Sequence, residues 1–396
     1  MMSSPTRHGV RALTAVAVVT ACLLTQNTAN ADEDPRIEQY RQALAALKPL
    51  TDQPPCDQTP EPARWVDAGT PDQGSRDVVI SAHRGALTLA PENTLKSYEY
   101  AFAYGVDLVE VDVQQTSDGR FVALHDSTVD RTTDGTGNIK DLTFAQVRTL
   151  NAADYAPWKG GEYDASQVAS LEEILALARR AGRGVELDIK GSVTEEGKLA
   201  ELVRGYGLIE ESIFNSADAR IFQAAPSARL IYNRDDWEPG FLLYEVGQVF
   251  KVFGSRLDEY SAASVAAAHD ACAIVMPHAY DAGPDQEVAQ FHAARAIGAD
   301  GVQTNQPSLI VAAAGEAVDS KLVFHRETMD TVCLVNADNG LGFPGKTVKL
   351  TKDEGSVELS TRRDGCADLP AVSWRGAKAT FAGDGAVHPS STRLAA

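Results

Sequence analysis

From residue 78 to about residue 314 the chain keeps returning to one unit: a short apolar run, then a longer stretch whose apolar residues recur three and four positions apart. Eight runs read as strands, at 78–82, 108–113, 121–124, 185–189, 212–215, 230–232, 273–276 and 301–303. Helical spacing falls between several of them, over 94–104, 171–181, 195–206 and 285–297. Strands so rich in Val, Ile and Leu are buried on both faces, which calls for parallel pairing with helices outside. The alternation therefore demands an α/β fold and leaves two forms open, an open doubly wound sheet and a closed barrel. Residues 116–120 are too few for a helix, so a hairpin-type turn joins the second and third runs.

The flanking regions differ in composition. Residues 1–31 hold the three parts of an export signal in order: Arg7 and Arg11, an apolar stretch over 12–25, and the small-residue site Ala29-Asn30-Ala31. They predict a secreted protein. A rival processing site, Val19-Thr20-Ala21-Cys22, resembles a lipobox and would leave a lipid anchor on Cys22. Residues 32–76 read as one amphipathic helix over 35–49 and a proline-rich linker. Beyond residue 315 the helical spacing stops. Short strand candidates separated by Gly, Asn, Asp and Pro predict a small β-sandwich-like domain over 318–396. With Cys22 set aside, Cys56, Cys272, Cys333 and Cys366 remain and permit three pairings. Cys333–Cys366 is the most local, and Cys56–Cys272 would then tie the N-terminal arm to the α/β domain. A formal net charge of −19 argues against nucleic acid and anionic membranes as partners. No segment after the leader is long and apolar enough to predict a transmembrane span. A phosphate-bearing substrate would need a local pocket lined by cations and metal.

The strand ends supply such groups. His83-Arg84-Gly85 follows the first run, and Pro91-Glu92-Asn93-Thr94 opens the first helix. Glu110-Val111-Asp112 lies on the second run, His125-Asp126 ends the third, and Glu186-Leu187-Asp188-Ile189-Lys190 lies on the fourth. Alternation along a strand turns Glu110 and Asp112 to one face, and Glu186, Asp188 and Lys190 likewise. Carboxylates flanked by Val, Leu and Ile are costly to bury unless paired or bound to metal. Three of them from two strands suit one hard divalent cation, Ca²⁺ or Mg²⁺. Arg84 and Lys190 are candidates to grip a phosphate, and the two imidazoles to move protons. Asn93 is expected to cap the first helix, Glu92 to support its loop, and Asp126 to hold a neighbouring loop or imidazole.

In this order and spacing the motifs resemble the glycerophosphodiester phosphodiesterase family. The resemblance implies a (β/α)8 TIM barrel over 77–317, with a small subdomain inserted after the third strand at about 127–170 to roof the pocket. It implies hydrolysis of a small-molecule glycerophosphodiester to glycerol 3-phosphate and an alcohol. It places metal ligands at Glu110, Asp112 and Asp188, acid–base catalysis at His83 and His125, and phosphate binding at Arg84 and Lys190. Three departures accompany it. Asp188 stands where the family commonly has Glu, with Glu186 as the fallback ligand. Asn305 stands where Asp is usual. Residues 273–278 replace a Trp-Thr-x-Asn run on the seventh strand. Two other readings remain open: a phospholipase D-type hydrolase of lysophospholipids or sphingolipids, and a surface protein with an inert barrel whose C-terminal domain contacts cell wall or polymer.

Overall fold

The computed structural model describes residue 45 and residues 78–394, other than 217, 234–249, 272, 281–282, 325–330, 354, 371–373 and 375. The expected leader and Cys56–Cys272 pair lie outside the described residues, as does the expected N-terminal helix apart from residue 45, which is helical. The apolar runs become β1 (Val79–Ala82), β2 (Leu108–Gln115), β3 (Phe121–Ala123), β4 (Gly184–Ile189), β5 (Ile213–Asn215), β6 (Arg229–Asn233), β7 (Phe250–Gly254), β8 (Ile274–Val275) and β9 (Gly301–Thr304). All but β3 are parallel, in the order β8-β7-β6-β5-β4-β2-β1-β9. Backbone hydrogen bonds from Asp300 N to Val275 O (2.9 Å) and from Gln303 N to Pro277 O (3.1 Å) join β9 back to β8. The sheet is thereby a closed (β/α)8 barrel.

Two strand expectations need correction. The third run is not a stave of the barrel: β3 pairs antiparallel with β2 and bridges Ser170 on its other side. Its apolar character comes from packing under the inserted segment, where Val122 shares a core with Val129, Ile139, Val147 and Val168. The missing stave is β7, whose apolar run is interrupted by Lys251 and so escapes a composition-based reading.

Side-chain alternation layers the barrel interior. Val79, Leu108, Ile213, Ile231, Val252, Ile274 and Met276 form a separate apolar plug toward the N-terminal ends of the strands. One step along, Ser81 and Gln303 are level with each other, as are Glu110 and Glu186. The next step brings Asp112 level with Asp188, and Asp188 level with Asn215, at the C-terminal mouth. Polar groups thus collect at one end because the strands change composition there.

Helix α1 (Leu95–Ala103) begins at Thr94, whose hydroxyl accepts from Ser97 N. The expected cap, Asn93, lies one residue earlier at φ 57°, and its side chain turns toward β2 instead. Helix α2 (Leu171–Ala181) starts with a Ser170–Glu173 capping box and ends at Gly182 in the left-handed region. The inserted segment is fastened over the β1–α1 loop, with Tyr163 OH donating to Leu89 O (2.7 Å).

Seven strands follow the barrel, in a three-stranded sheet (β10 Ser320–Phe324, β11 Thr331–Asn336, β14 Cys366–Asp368) and a four-stranded one (β12 Thr347–Lys352, β13 Gly355–Ser360, β15 Lys378–Phe381, β16 Ser390–Arg393). Cys333 and Cys366 face each other across β11 and β14 and form a disulfide. This domain rests on the end of α1. Asn336 Nδ2 donates to Ala103 O (2.9 Å), Asn339 Nδ2 donates to Phe102 O (3.0 Å), and Phe343 packs edge-on against Tyr104. Terminal helix carbonyls gain partners in this way. Among the described residues no helix is long and apolar enough to cross a membrane.

Candidate active site

The His83-Arg84-Gly85 corner sets the geometry. Arg84 and Gly85 both have positive φ, 53° and 82°, so the chain turns sharply out of β1. A Cβ on residue 85 would lie 2.5 Å from Ser97 Oγ and 2.8 Å from Ser97 backbone, so only glycine fits. The turn aims Arg84 N at Glu110 Oε2 (2.8 Å) and brings Arg84 Nε to 3.2 Å from Asp112 Oδ2. That second contact is an ion pair without an aligned N–H.

Glu110, Asp112 and Asp188 converge, each offering an oxygen within 4.8 Å of the others. Asp112 is enclosed: Asn93 Nδ2 donates to Oδ2 (2.6 Å), and Lys190 Nζ lies 2.7 Å from Oδ1. Burial would raise its pKa, but Lys190 and Arg84 outweigh that and hold it below the usual range. Lys190 also reaches Asp188 (2.5 Å), which accepts from Asn215 Nδ2 (3.2 Å). Glu110 differs. Burial first, then the charges of Asp112, Asp188 and Glu186, push its pKa well above normal. Three hard oxygens with a net excess of negative charge fit one divalent cation, whose charge would reverse that push.

The fallback ligand Glu186 does not join this group. Ser81 Oγ donates to one of its oxygens (2.6 Å) and Gln303 Nε2 to the other (3.0 Å), so it serves the layer beneath. Its burial raises its pKa to about 7.

The two histidines have unlike partners. His83 stacks on Tyr280, with ring centroids 4.0 Å apart, and its Nδ1 lies 2.8 Å from Asn305 Oδ1. Asn305 Nδ2 donates to Tyr280 O (2.7 Å), which fixes the amide, so Nδ1 of His83 is the donor and Nε2 keeps its lone pair. Burial, then the adjacent Arg84, lowers the His83 pKa to about 4, and the ring is uncharged at neutral pH. His125 Nδ1 instead meets a carboxylate, Asp126 Oδ1 at 2.6 Å. A hydrogen bond from Arg131 is the main cause that brings Asp126 to about 2.

Arg131, from the inserted segment, also grips Glu92 (2.7 Å), and Glu92 in turn accepts from Arg84 (3.2 Å). This chain of pairs brings His125, Asp126 and Glu92 to the same mouth as the carboxylates. Several contributors had gone unassigned. Gln114 donates to the carbonyls of His125 (3.3 Å) and Asp126 (2.7 Å) and holds their loop. Its signal was the alternation continuing from Glu110 through Asp112. Asn215 was signalled by its place at a strand end, and Arg131 by its run in the insertion. Tyr280 had no such signal.

The profile of the Glycerophosphoryl diester phosphodiesterase family matches residues 83–230, the stretch that holds both histidines and every carboxylate of the cluster. Over those residues the chain is similar to this family. A glycerophosphodiester phosphodiesterase of Caldanaerobacter subterraneus is 34% identical over 142 residues, 35% of this chain and 57% of the relative. Glycerophosphodiester phosphodiesterase 1 of Mus musculus is 44% identical over 110 residues, 28% of this chain and 33% of the relative. A solved glycerophosphodiester phosphodiesterase from Agrobacterium tumefaciens superposes with a TM-score of 0.52 at 25% identity, over 59% of this chain and 99% of that one. The match spans between 33% and 61% of the curated relatives' own lengths. The profile match ends at residue 230, in β6.

Proposed function

We propose that this protein is a metal-dependent glycerophosphodiester phosphodiesterase that releases glycerol 3-phosphate and an alcohol. The observation that carries the reading is the Glu110–Asp112–Asp188 cluster backed by Arg84 and Lys190, with an uncharged imidazole at its rim. A bound Ca²⁺ or Mg²⁺ would neutralise charge building on the phosphoryl oxygens. Arg84 and Lys190 now pair with Asp112 and Asp188, and they would turn toward the substrate phosphate. His83 Nε2 takes the proton of the attacking water, whose oxygen bonds to phosphorus as the bond to the alcohol oxygen breaks. Asn305 holds the ring in the tautomer that can do so. His125 delivers a proton to the departing alkoxide, and the Asp126 carboxylate offsets positive charge on its ring. Glu92 and Asn93 support the two cations and Asp112.

The leader-like residues 1–31 support reading the enzyme as secreted, and outside the cell deacylated lipids are a source of phosphate and carbon. The C-terminal domain is read as a support for α1 and the inserted segment rather than as a polymer-binding module, since Asn336 and Asn339 donate to helix-end carbonyls and Arg363 donates to Glu162 O.

The test is release of glycerol 3-phosphate from glycerophosphocholine by the purified chain, with and without chelator, restored separately by Ca²⁺ and Mg²⁺. Chelator-sensitive release is the expected result. No release with either metal, but turnover of a lysophospholipid, would move the assignment to the phospholipase D-type alternative.

A further inference from the structure

Beside the catalytic rim a cavity of 270 Å³ opens to solvent between the ends of β7 and β8, lined by Arg256, Leu257, Asp258, His278 and Gln290. It joins the reaction site through a run of rings. His83 stacks on Tyr280 at 4.0 Å, and Tyr280 lies 5.1 Å from His278, whose Nδ1 is 3.2 Å from the Tyr280 hydroxyl. A group attached to a phosphate near His83 would reach this cavity. The lining belongs to the part of the barrel beyond the family match, which ends at residue 230.

Resting on the phosphodiesterase reading, we propose that this cavity receives the alcohol portion of the substrate and selects an uncharged polyol, such as glycerol or a cyclic hexol, over a quaternary ammonium. Its chemistry is that of hydroxyl recognition. Arg256 and Asp258 pair through two contacts of 3.1 Å, so the lining offers donors and acceptors without net charge. Gln290, on α3 (Pro284–Ala296), adds an amide side chain to the lining. An amide can both donate to and accept from a ligand hydroxyl. A trimethylammonium group has no hydrogen to give. It also calls for aromatic faces or an unneutralised carboxylate. Here the Asp258 charge is met by Arg256, and the Tyr280 ring is stacked on His83.

The experiment compares kcat/KM for glycerophosphoinositol, glycerophosphoglycerol and glycerophosphocholine, in the full chain and in Gln290→Leu. The two polyol diesters should exceed the choline diester by about tenfold or more. Gln290→Leu should reduce that ratio by about fivefold, as expected for one lost hydrogen bond to a ligand hydroxyl. The ratio is independent of the fraction of enzyme correctly folded. Equal or better use of the choline diester, or an unchanged ratio in the variant, would overturn the cavity's role while leaving the phosphodiesterase reading intact. No turnover of any of the three would overturn that reading and this inference with it.

Discussion

Across the mouth of the barrel, the wall built from β1, β2 and β4 carries Arg84, Glu110, Asp112, Asp188 and Lys190. The wall built from β7, β8 and β9 carries Gly254, His278, Asn305 and, just beyond, Tyr280. The first is charged, its two cations paired with Asp112 and Asp188 and a formal negative charge left over. The second is uncharged, and its side chains are fixed by ring stacking and amide hydrogen bonds. Each histidine takes its character from its own surroundings: an amide and a buried ring for His83, an ionised carboxylate for His125. The contrast shows how one fold can give two histidines the unlike surroundings that the proposed base and acid require.

Four substitutions would break or sharpen this contrast. The largest effect belongs to the proposed acid. His125→Ala should lower kcat on glycerophosphocholine by about 10²–10⁴-fold. Activity within a few-fold of wild type in a steady-state assay would remove His125 from the mechanism. Asn305→Asp would give His83 the kind of partner His125 has. His83 is neutral above about 4 in the native protein. A carboxylate would stabilise its imidazolium, so the acid limb of the kcat/KM profile should move up by roughly one to two pH units. An unmoved limb would show that Asn305 does not govern the base.

A third change reads the layer beneath the charged wall. The Glu186 pKa of about 7 exceeds the 4.5 of an ordinary glutamate. Its raised folded-state value contributes stability that is full below about 4.5 and is lost as pH rises through 7. Glu186→Gln removes that dependence. Relative to wild type in chelator, the variant should therefore gain roughly 3 kcal/mol between pH 4.5 and pH 8. Urea melts at the two pH values check it, and parallel curves would count against the cause assigned. The smallest effect lies outside both walls. Asn336→Ala removes the donor to Ala103 O and should cost about 1–2 kcal/mol in the same melts with KM unchanged. An altered KM would mean that the C-terminal domain reaches the substrate.

The charged wall was largely legible in the sequence. Glu110, Asp112 and Asp188 are read from the two-residue period of strands, and His83-Arg84-Gly85 from its place at the end of the first run. Both signals are local, because a strand fixes which residues share a face. The fold class was legible for the same reason, although β3 and β7 exchanged places as staves. Burial, which composition reports, is supplied to β3 by the insertion rather than by the barrel. The neutral wall was not legible. Asn305 drew notice only as a departure from a pattern, and Tyr280 not at all, since stacking on His83 joins residues far apart in the chain. Asn93 was expected to cap a helix. Its positive φ, which sends its amide to Asp112, is a property of the corner as a whole.

The most direct test of the division of labour between the histidines uses a glycerophosphodiester whose leaving group is p-nitrophenol, which departs without help from an acid. On this substrate His125→Ala should recover to within about tenfold of wild type, whereas His83→Ala should stay deeply impaired on both this diester and glycerophosphocholine. Recovery by His83→Ala, with none by His125→Ala, would reverse the assignment of base and acid.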